Sequence, residues 1–483
     1  MRSSVKRHLA GLFATDIPQA AVARAQLAGA RLSHPSRTGL PREFSWHDYA
    51  VYLLHIAAEI EHALMVQYLY GAYSLGGPEV PVDQQKEVLS WQQSILGIAK
   101  EEMGHFLTVQ NVLRLIGGEL NLSREDFPWD LPFYPYDFAL EPLTRSSLSK
   151  YIFAESPEDW PADLTEEERK EIEAAVGKSP KQIPHRVGLL YELMIDLLSD
   201  RGALSDSIFR EETVPFQASW DEWGRGYRGG AGATGSRDPS PNVIVQRVAS
   251  RSDAVSVLNL IARQGEWPES DPKAQELSHF RRFLRVFRAF PKPGTTWSPT
   301  WAIPTNPQAP GLAVPGAGPI IEHPEASLWS LIFNIRYRML LTYLAHSFRL
   351  SAVPMETGAA NPRSMVIART FAEMYNVRSA AGVLVQLPLK DQTDPKRAGP
   401  PFQMPYTLAL PPEEADCWRV HMDLIDAACP LLKQLVKMSK GSRADYALAL
   451  GSADQQTKRE MELLLGSSRR SETQRPAGRM IAV

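Results

Sequence analysis

The chain has 483 residues, 44% hydrophobic and 22% charged, with 52 basic against 55 acidic residues and a net charge of -3. That balance excludes a largely disordered chain and gives no basis for binding a polyanion such as nucleic acid. No run reaches about 18 uninterrupted apolar residues, so no membrane-spanning helix is expected, and the length accommodates roughly two to three ordinary units or one large bundle with additions.

Residues 1–43 read as a partly disordered N-terminal arm, rich in Arg and Ala with Asp16 as the single acid of the first forty, and without the apolar core or cleavage signature of a secretory signal. From Phe44 to Leu75 apolar residues recur at helical spacing with no internal Pro; Ser45 offers an N-cap and Gly76-Gly77-Pro78 ends the run. A second helix of similar length runs from about Asp83 to Ile116 and stops at Gly117-Gly118. Leu120 to Pro161 is dense in Pro and aromatics and reads as a long surface crossover. A third helix follows from about Pro184 to Leu204, then a flexible Gly-rich loop, Gly224 to Gly235, without the ending of a phosphate loop.

The fourth helix comes in two parts, Asn242 to Glu266 and about Pro272 to Phe290, separated at Trp267-Pro268, with Phe280, Phe283 and Phe287 on one face of the second part. A Pro-rich linker (291–324) leads to a C-terminal helical region (325–465) with runs at Glu325 to Leu350, Arg363 to Val383 and Pro412 to Met438, and a polar, disordered tail (466–483) closes the chain. The expected fold is all-α: a four-helix bundle over 44–290 with a long crossover between its second and third helices, and additional C-terminal helices. Cys417 and Cys429 fall on one helical segment, about 18 Å apart if it is continuous and too far to bridge. A reducing, cytoplasmic location is the expectation.

A dimetal carboxylate site in such a bundle takes one Glu from each of two helices and a Glu-x-x-His pair from each of the other two, because side chains three residues apart share a helical face. In the second helix Glu102 stands three residues before His105, in phase with Ile95, Ile98, Ala99, Phe106 and Val109. A carboxylate on so apolar a stripe is costly to desolvate, and a bound cation would offset that cost. Glu101 shares a face with Ser94, Gly97, Gly104 and Thr108 and is assigned to a more polar side. In the first helix Glu61 is the preferred ligand, in phase with Leu54, Ala58, Met65 and Tyr68; Glu59 and His62 pair on another face, where a structural role is expected for His62.

In the third helix Glu192 lies in phase with Leu189 and Ile195, with Asp196 one turn on. In the fourth, Glu276 precedes His279 by three residues, and Glu266 is the rival if the Trp267-Pro268 break folds it back. Any one of these pairs also fits an exposed helical ion pair; their joint occurrence on successive long helices points to metal. Four carboxylates and two imidazoles favour iron, with manganese as the alternative, over a thiolate-seeking ion. His55, His185 or His346 would be the axial ligand if the chain bound haem, although isolated helical histidines are more often ordinary core or surface groups.

The runs Glu61 to Tyr70, Glu101 to Phe106, Asn111 to Gly118, Gln264-Gly265-Glu266 and Ser278 to Phe283 resemble the ferritin-like family of iminophenyl-pyruvate dimer synthases, over about Phe44 to Phe290. That family includes enzymes that couple two indolepyruvate imines in violacein and rebeccamycin biosynthesis. The resemblance implies a ferritin-like fold and redox chemistry at a metal centre on an amino-acid-derived, often aromatic, small molecule. It also makes Glu266 a ligand candidate equal to Glu276, which spacing alone favours.

The expected function is therefore an iron-dependent oxidase or oxygenase. Two ions would be held by Glu61, Glu102, His105, Glu192, His279 and one of Glu266 or Glu276, with dioxygen or peroxide as co-substrate. Tyr68 and Tyr191, beside expected ligands, read as packing residues, with hydrogen-bonding or redox roles as the rival. Oxidative coupling of two aryl-pyruvate imines is a rival reaction, and a metal-stabilised scaffold is a rival of another class; iron storage is disfavoured by the crossover and the added helices. Pathway enzymes and an oligomer are compatible with either.

Overall fold

A computed structural model describes residues 43–124, 136–157, 160–176, 187–228, 240–266, 277–314, 316–352 and 361–473. The chain divides into two compact units between Trp301 and Ala302, inside the Pro-rich stretch that the sequence marks as a linker.

In the first unit α1 (Trp46–Ser74) opens on the expected cap: the Ser45 hydroxyl accepts from the Asp48 N–H, and the Asp48 carboxylate accepts from the Ser45 N–H in return. α2 (Gln85–Leu115) begins without a side-chain cap, so Asp83 does not open it. It leaves through Gly117 at φ 75°, whose left-handed turn lets the Gly118 N–H reach the Leu113 carbonyl at 2.8 Å. α1 and α2 pack along each other. α1 is long and apolar enough by composition to cross a membrane, and most of that surface is buried in the protein.

The stretch read as an irregular crossover contains a helix, α3 (Arg145–Ala154), started by a reciprocal Thr144/Ser147 cap, with α4 (Glu166–Val176) packed on it. Then come α5 (Val187–Ser199), the single turn α6 (Trp220–Trp223), α7 (Arg251–Glu266) and α8 (His279–Ala289). α5 packs on α7 and α1, and α8 on α3 and α2. Four columns result: α1, α2, α3 followed by α5, and α7 followed by α8. The last two columns are both interrupted, and Glu155 at the end of α3, Glu266 at the end of α7 and His279 at the start of α8 stand at the breaks.

The helix expected from Asn242 begins only at Arg251. Residues before it form no helix, and α2 satisfies their backbone: Thr108 donates to the Ile244 carbonyl at 2.9 Å and Asn111 to the Gln246 carbonyl at 2.7 Å. Gly104 permits the approach, since a Cβ there would sit 2.9 Å from the Ile244 oxygen. The predicted Phe stripe holds: Phe280, Phe283 and Phe287 are buried, and Phe283 and Tyr151 both pack against Tyr68 at 4.8 Å between ring centroids. After α8 the chain returns to the end of α1, where the Gly76 N–H donates to the Pro299 carbonyl and the Trp301 N–H to the Ser74 carbonyl, both at 2.8 Å.

The second unit contains α9 (Pro324–Ser347), α10 (Pro362–Leu384), α11 (Glu414–Met438) and α12 (Ser442–Thr473). α9 packs on α10 and α11, and α11 on α12. α12 continues as helix beyond residue 466, where the sequence suggested a disordered tail; residues 474–483, like the N-terminal 1–42, lie outside the described residues. Cys417 and Cys429 are free thiols on α11.

His346 and His421 are buried side by side, Nδ1 to Nε2 at 2.9 Å, against Trp418 and Tyr343, so the ring nitrogen of His346 that faces His421 is engaged by a second imidazole. Burial, with Arg349 nearby, holds His346 down at about 4, and burial holds His421 well below the usual imidazole range. Each is neutral in the fold and takes a proton on unfolding. The stability they confer is complete above the unfolded value of about 6.5 and is lost as pH falls toward 4. For His346 alone the loss is on the order of 3 kcal/mol. Urea midpoints compared at pH 7 and pH 4.5 should fall less in His346→Leu/His421→Leu than in the wild type; equal falls would refute this.

Candidate dimetal centre

Five buried side chains converge at the interrupted level of the bundle: Glu61 from α1, Glu102 and His105 from α2, Glu155 from the end of α3 and His279 from the start of α8. His105 Nδ1 lies 3.0 Å from Glu102 Oε2 and 3.4 Å from Glu61 Oε2. His279 Nδ1 lies 2.8 Å from Glu102 Oε1 and 3.6 Å from Glu155 Oε2. Two clusters that could hold an ion therefore share Glu102: Glu61, Glu102, His105 and Glu102, Glu155, His279. Donors that bind one ion at about 2.1 Å sit about 3 Å from each other, which is the spacing seen.

Every remaining polar atom of these groups is turned outward to a partner. Tyr191 donates to Glu61 Oε1, and Tyr68 donates to Glu155 Oε1 at 2.5 Å. His105 Nε2 meets Gln264 Oε1 at 2.8 Å, and His279 Nε2 meets Glu101 Oε2 at 3.0 Å. Glu61 Oε2, Glu102 Oε1 and His279 Nδ1 are buried and make no well-aligned hydrogen bond, although each has an oppositely charged neighbour within 2.8–3.4 Å. These are the atoms that face the middle of the cluster. Poorly aligned donors and acceptors of this kind are costly in a dry interior, and the set of hard oxygens with imidazole nitrogens suits iron or manganese.

The electrostatics lead the same way. Burial, reinforced by Glu102, pushes Glu61 up to about 8 and also raises Glu155. Burial would raise Glu102 too, but His279 and His105 outweigh it and hold the carboxyl well below its usual range. Burial opposes a charge on His105, and Glu102 overrides it, lifting the imidazole to about 10; His279 is raised for the same reason. Protons on the two imidazoles thus balance the carboxylates, and a bound cation would replace them.

Of the residues expected from sequence, Glu61, Glu102, His105 and His279 come together. Glu192 does not: it is exposed, and Tyr191 beside it reaches Glu61 instead. α5 is apolar on several sides, and a one-residue step rotates a helix face by about 100°, so half-buried Leu189 and Ile195 marked the wrong side. Asp196 is half-buried on that same side and is not part of the cluster. Glu276 and the side chain of Glu266 lie outside the described residues, so the choice between them stays as it stood; Gly265 nevertheless touches the cluster, since a Cβ there would lie 2.9 Å from Glu155 Oε2.

Glu101, assigned to a polar side, is buried and bound to Arg282 and His279. Its small face neighbours make room for protein: a Cβ on Gly97 would lie 2.5 Å from Arg282 Nη2. Glu59 accepts from Asn121 at 2.9 Å, and His62 packs on Phe106 and is part of neither cluster. His55 faces the Glu119 carbonyl at 3.0 Å, and His185 is outside the described residues. The residue missed altogether is Glu155, in a helix obscured by its Pro- and aromatic-rich surroundings; the Thr144-x-x-Ser147 cap was the available signal.

A model of the Ferritin-like family matches residues 54–288, which contain all five groups. Dichlorochromopyrrolate synthase of Lentzea aerocolonigenes is 28% identical over 408 residues, covering 77% of this chain and 37% of that protein. The 2-imino-3-(indol-3-yl)propanoate dimerase of Chromobacterium violaceum is 31% identical over 162 residues, 28% of this chain and 15% of that protein. The chain thus spans well under half the length of these curated relatives. No solved structure matches it.

Proposed function

We propose that the chain is a non-haem dimetal enzyme, with iron as the favoured metal and manganese the alternative, that oxidises an amino-acid-derived small molecule with dioxygen or peroxide. The observation that carries this reading is Glu102, one carboxylate facing two separate Glu/His pairs in a dry interior. Glu61 and His105 would hold one ion, Glu155 and His279 the other, and Glu102 both. When bound, such a pair supplies a centre at which an oxygen species is reduced while an organic substrate is oxidised.

The chain's own groups prepare that centre. Tyr191 and Tyr68 fix the outer oxygens of Glu61 and Glu155, which leaves the inner oxygens pointing at the imidazoles. Leu64, Val187 and Ile261 line a cavity of about 20 Å³ beside Glu61, Glu102 and His105, enough for a water-sized molecule. Because both imidazoles hold protons when no cation does, metal binding releases protons and weakens as pH falls.

The names of the two relatives, a chromopyrrolate synthase and an imine dimerase, favour an imine of an aromatic amino acid as substrate. Coupling of two such imines is the second reading. Elemental analysis of protein purified without chelators should give two ions per chain, and an imine of an aromatic amino acid should trigger oxygen uptake. Product mass then separates oxidation of one molecule from joining of two. Protein without bound metal, or with uptake indifferent to every imine offered, would overturn the proposal.

A further inference from the structure

The two imidazoles of the cluster are backed by different chemistry. His279 Nε2 meets a full carboxylate, Glu101 Oε2 at 3.0 Å, and that carboxylate is itself clamped: Arg282 donates to the same oxygen, and the Asn242 N–H donates to Oε1 at 2.8 Å. Arg282 is anchored in turn on the Ser94 carbonyl at 3.0 Å, in the space left by Gly97. His105 Nε2 meets a neutral amide, Gln264 Oε1 at 2.8 Å. The orientation of that amide is set from the other side, because Gln264 Nε2 donates to the Asn242 carbonyl at 2.8 Å. The main chain of one residue, Asn242, therefore steadies the partners of both imidazoles, through its N–H on one side and its carbonyl on the other. In each case the ring donates outward through Nε2–H and turns Nδ1 toward the carboxylates.

A carboxylate behind a ligating imidazole makes its other nitrogen a stronger donor than an amide does, and such outer partners change metal affinity by about 10–100-fold. We propose that Glu101 is a positioning residue, held by Arg282, that makes the two ion positions unequal, so that the Glu102–Glu155–His279 position fills before the Glu61–Glu102–His105 position. The inference rests on the dimetal reading above and adds an order of filling to it. The ligand is a divalent transition-metal ion, and the ranking comes from the groups behind the imidazoles.

Anaerobic calorimetric titration of the metal-free full-length chain with Fe(II) tests it. The wild type should show two steps. Glu101→Gln should weaken the tighter step by about 10–100-fold and leave the weaker one in place, Glu101→Asp should restore part of the loss, and Glu155→Gln should remove the tighter step alone. Gln264→Glu, which gives His105 an anionic partner, should strengthen the weaker step, and it decides the matter if Glu101→Gln does not fold. Two steps of equal affinity in the wild type, equal weakening of both steps by Glu101→Gln, or no change in Gln264→Glu would overturn the inference while leaving the dimetal reading intact. A wild-type chain that takes up no Fe(II) would instead overturn that reading, and this inference with it.

Discussion

Glu102→Gln is expected to lose both ions. The side chain keeps its size, so the fold should survive, but a neutral amide can no longer face His105 and His279 at once across 3.0 and 2.8 Å. Outer partners of ligands are worth about 10–100-fold in metal affinity, so a shared inner ligand should cost more than roughly 100-fold at each position, and substrate-triggered oxygen uptake should fall to background. Metal content by elemental analysis is the direct measurement, with far-ultraviolet circular dichroism to confirm the helices. A variant that still carries two ions would remove Glu102 from the centre.

The second large effect separates two carboxylates that are easily exchanged on paper. Glu155→Gln should retain one ion, bound by Glu61, Glu102 and His105, because only the cluster with His279 uses Glu155. The Gln carbonyl can still accept from Tyr68, so local packing should persist. Glu192→Ala should retain both ions and full oxygen uptake, since that side chain is exposed. The reverse pattern, with metal lost on changing Glu192 and kept on changing Glu155, would return the third helical column to the assignment that spacing suggested.

The contrast shows where a sequence is legible. Glu61, Glu102 and His105 sit in the middle of long uninterrupted helices, and there a 3.6-residue period says which face a side chain occupies. Glu155 and His279 stand at helix ends, where the period stops and direction depends on how the chain turns. His279 was singled out by its three-residue spacing from Glu276, just ahead of a Phe stripe that is regular and buried; Glu155 had no such partner or stripe to announce it. The fourth column was read as broken because Trp267-Pro268 interrupts it, whereas the break in the third hid inside a segment that looked like loop throughout. Glu101 was misplaced for a different reason. Small residues on a helix face signal either solvent or the close approach of another element, and composition alone does not distinguish the two; here Gly97 and Gly104 admit Arg282 and the backbone at Ile244.

The return of residues 299–301 to the end of α1 bears on how the gene can be trimmed. Gly76 and Gly77, at φ 101° and 109°, shape a corner that Pro299 and Trp301 close with main-chain bonds. A shortened chain that stops at Phe290, where helical periodicity gives out, would lose this seam and leave peptide groups at the tip of the first long helix facing water. Cutting after Trp301 keeps the seam shut, and that is the place to divide the protein when the unit with the Glu/His cluster is wanted alone.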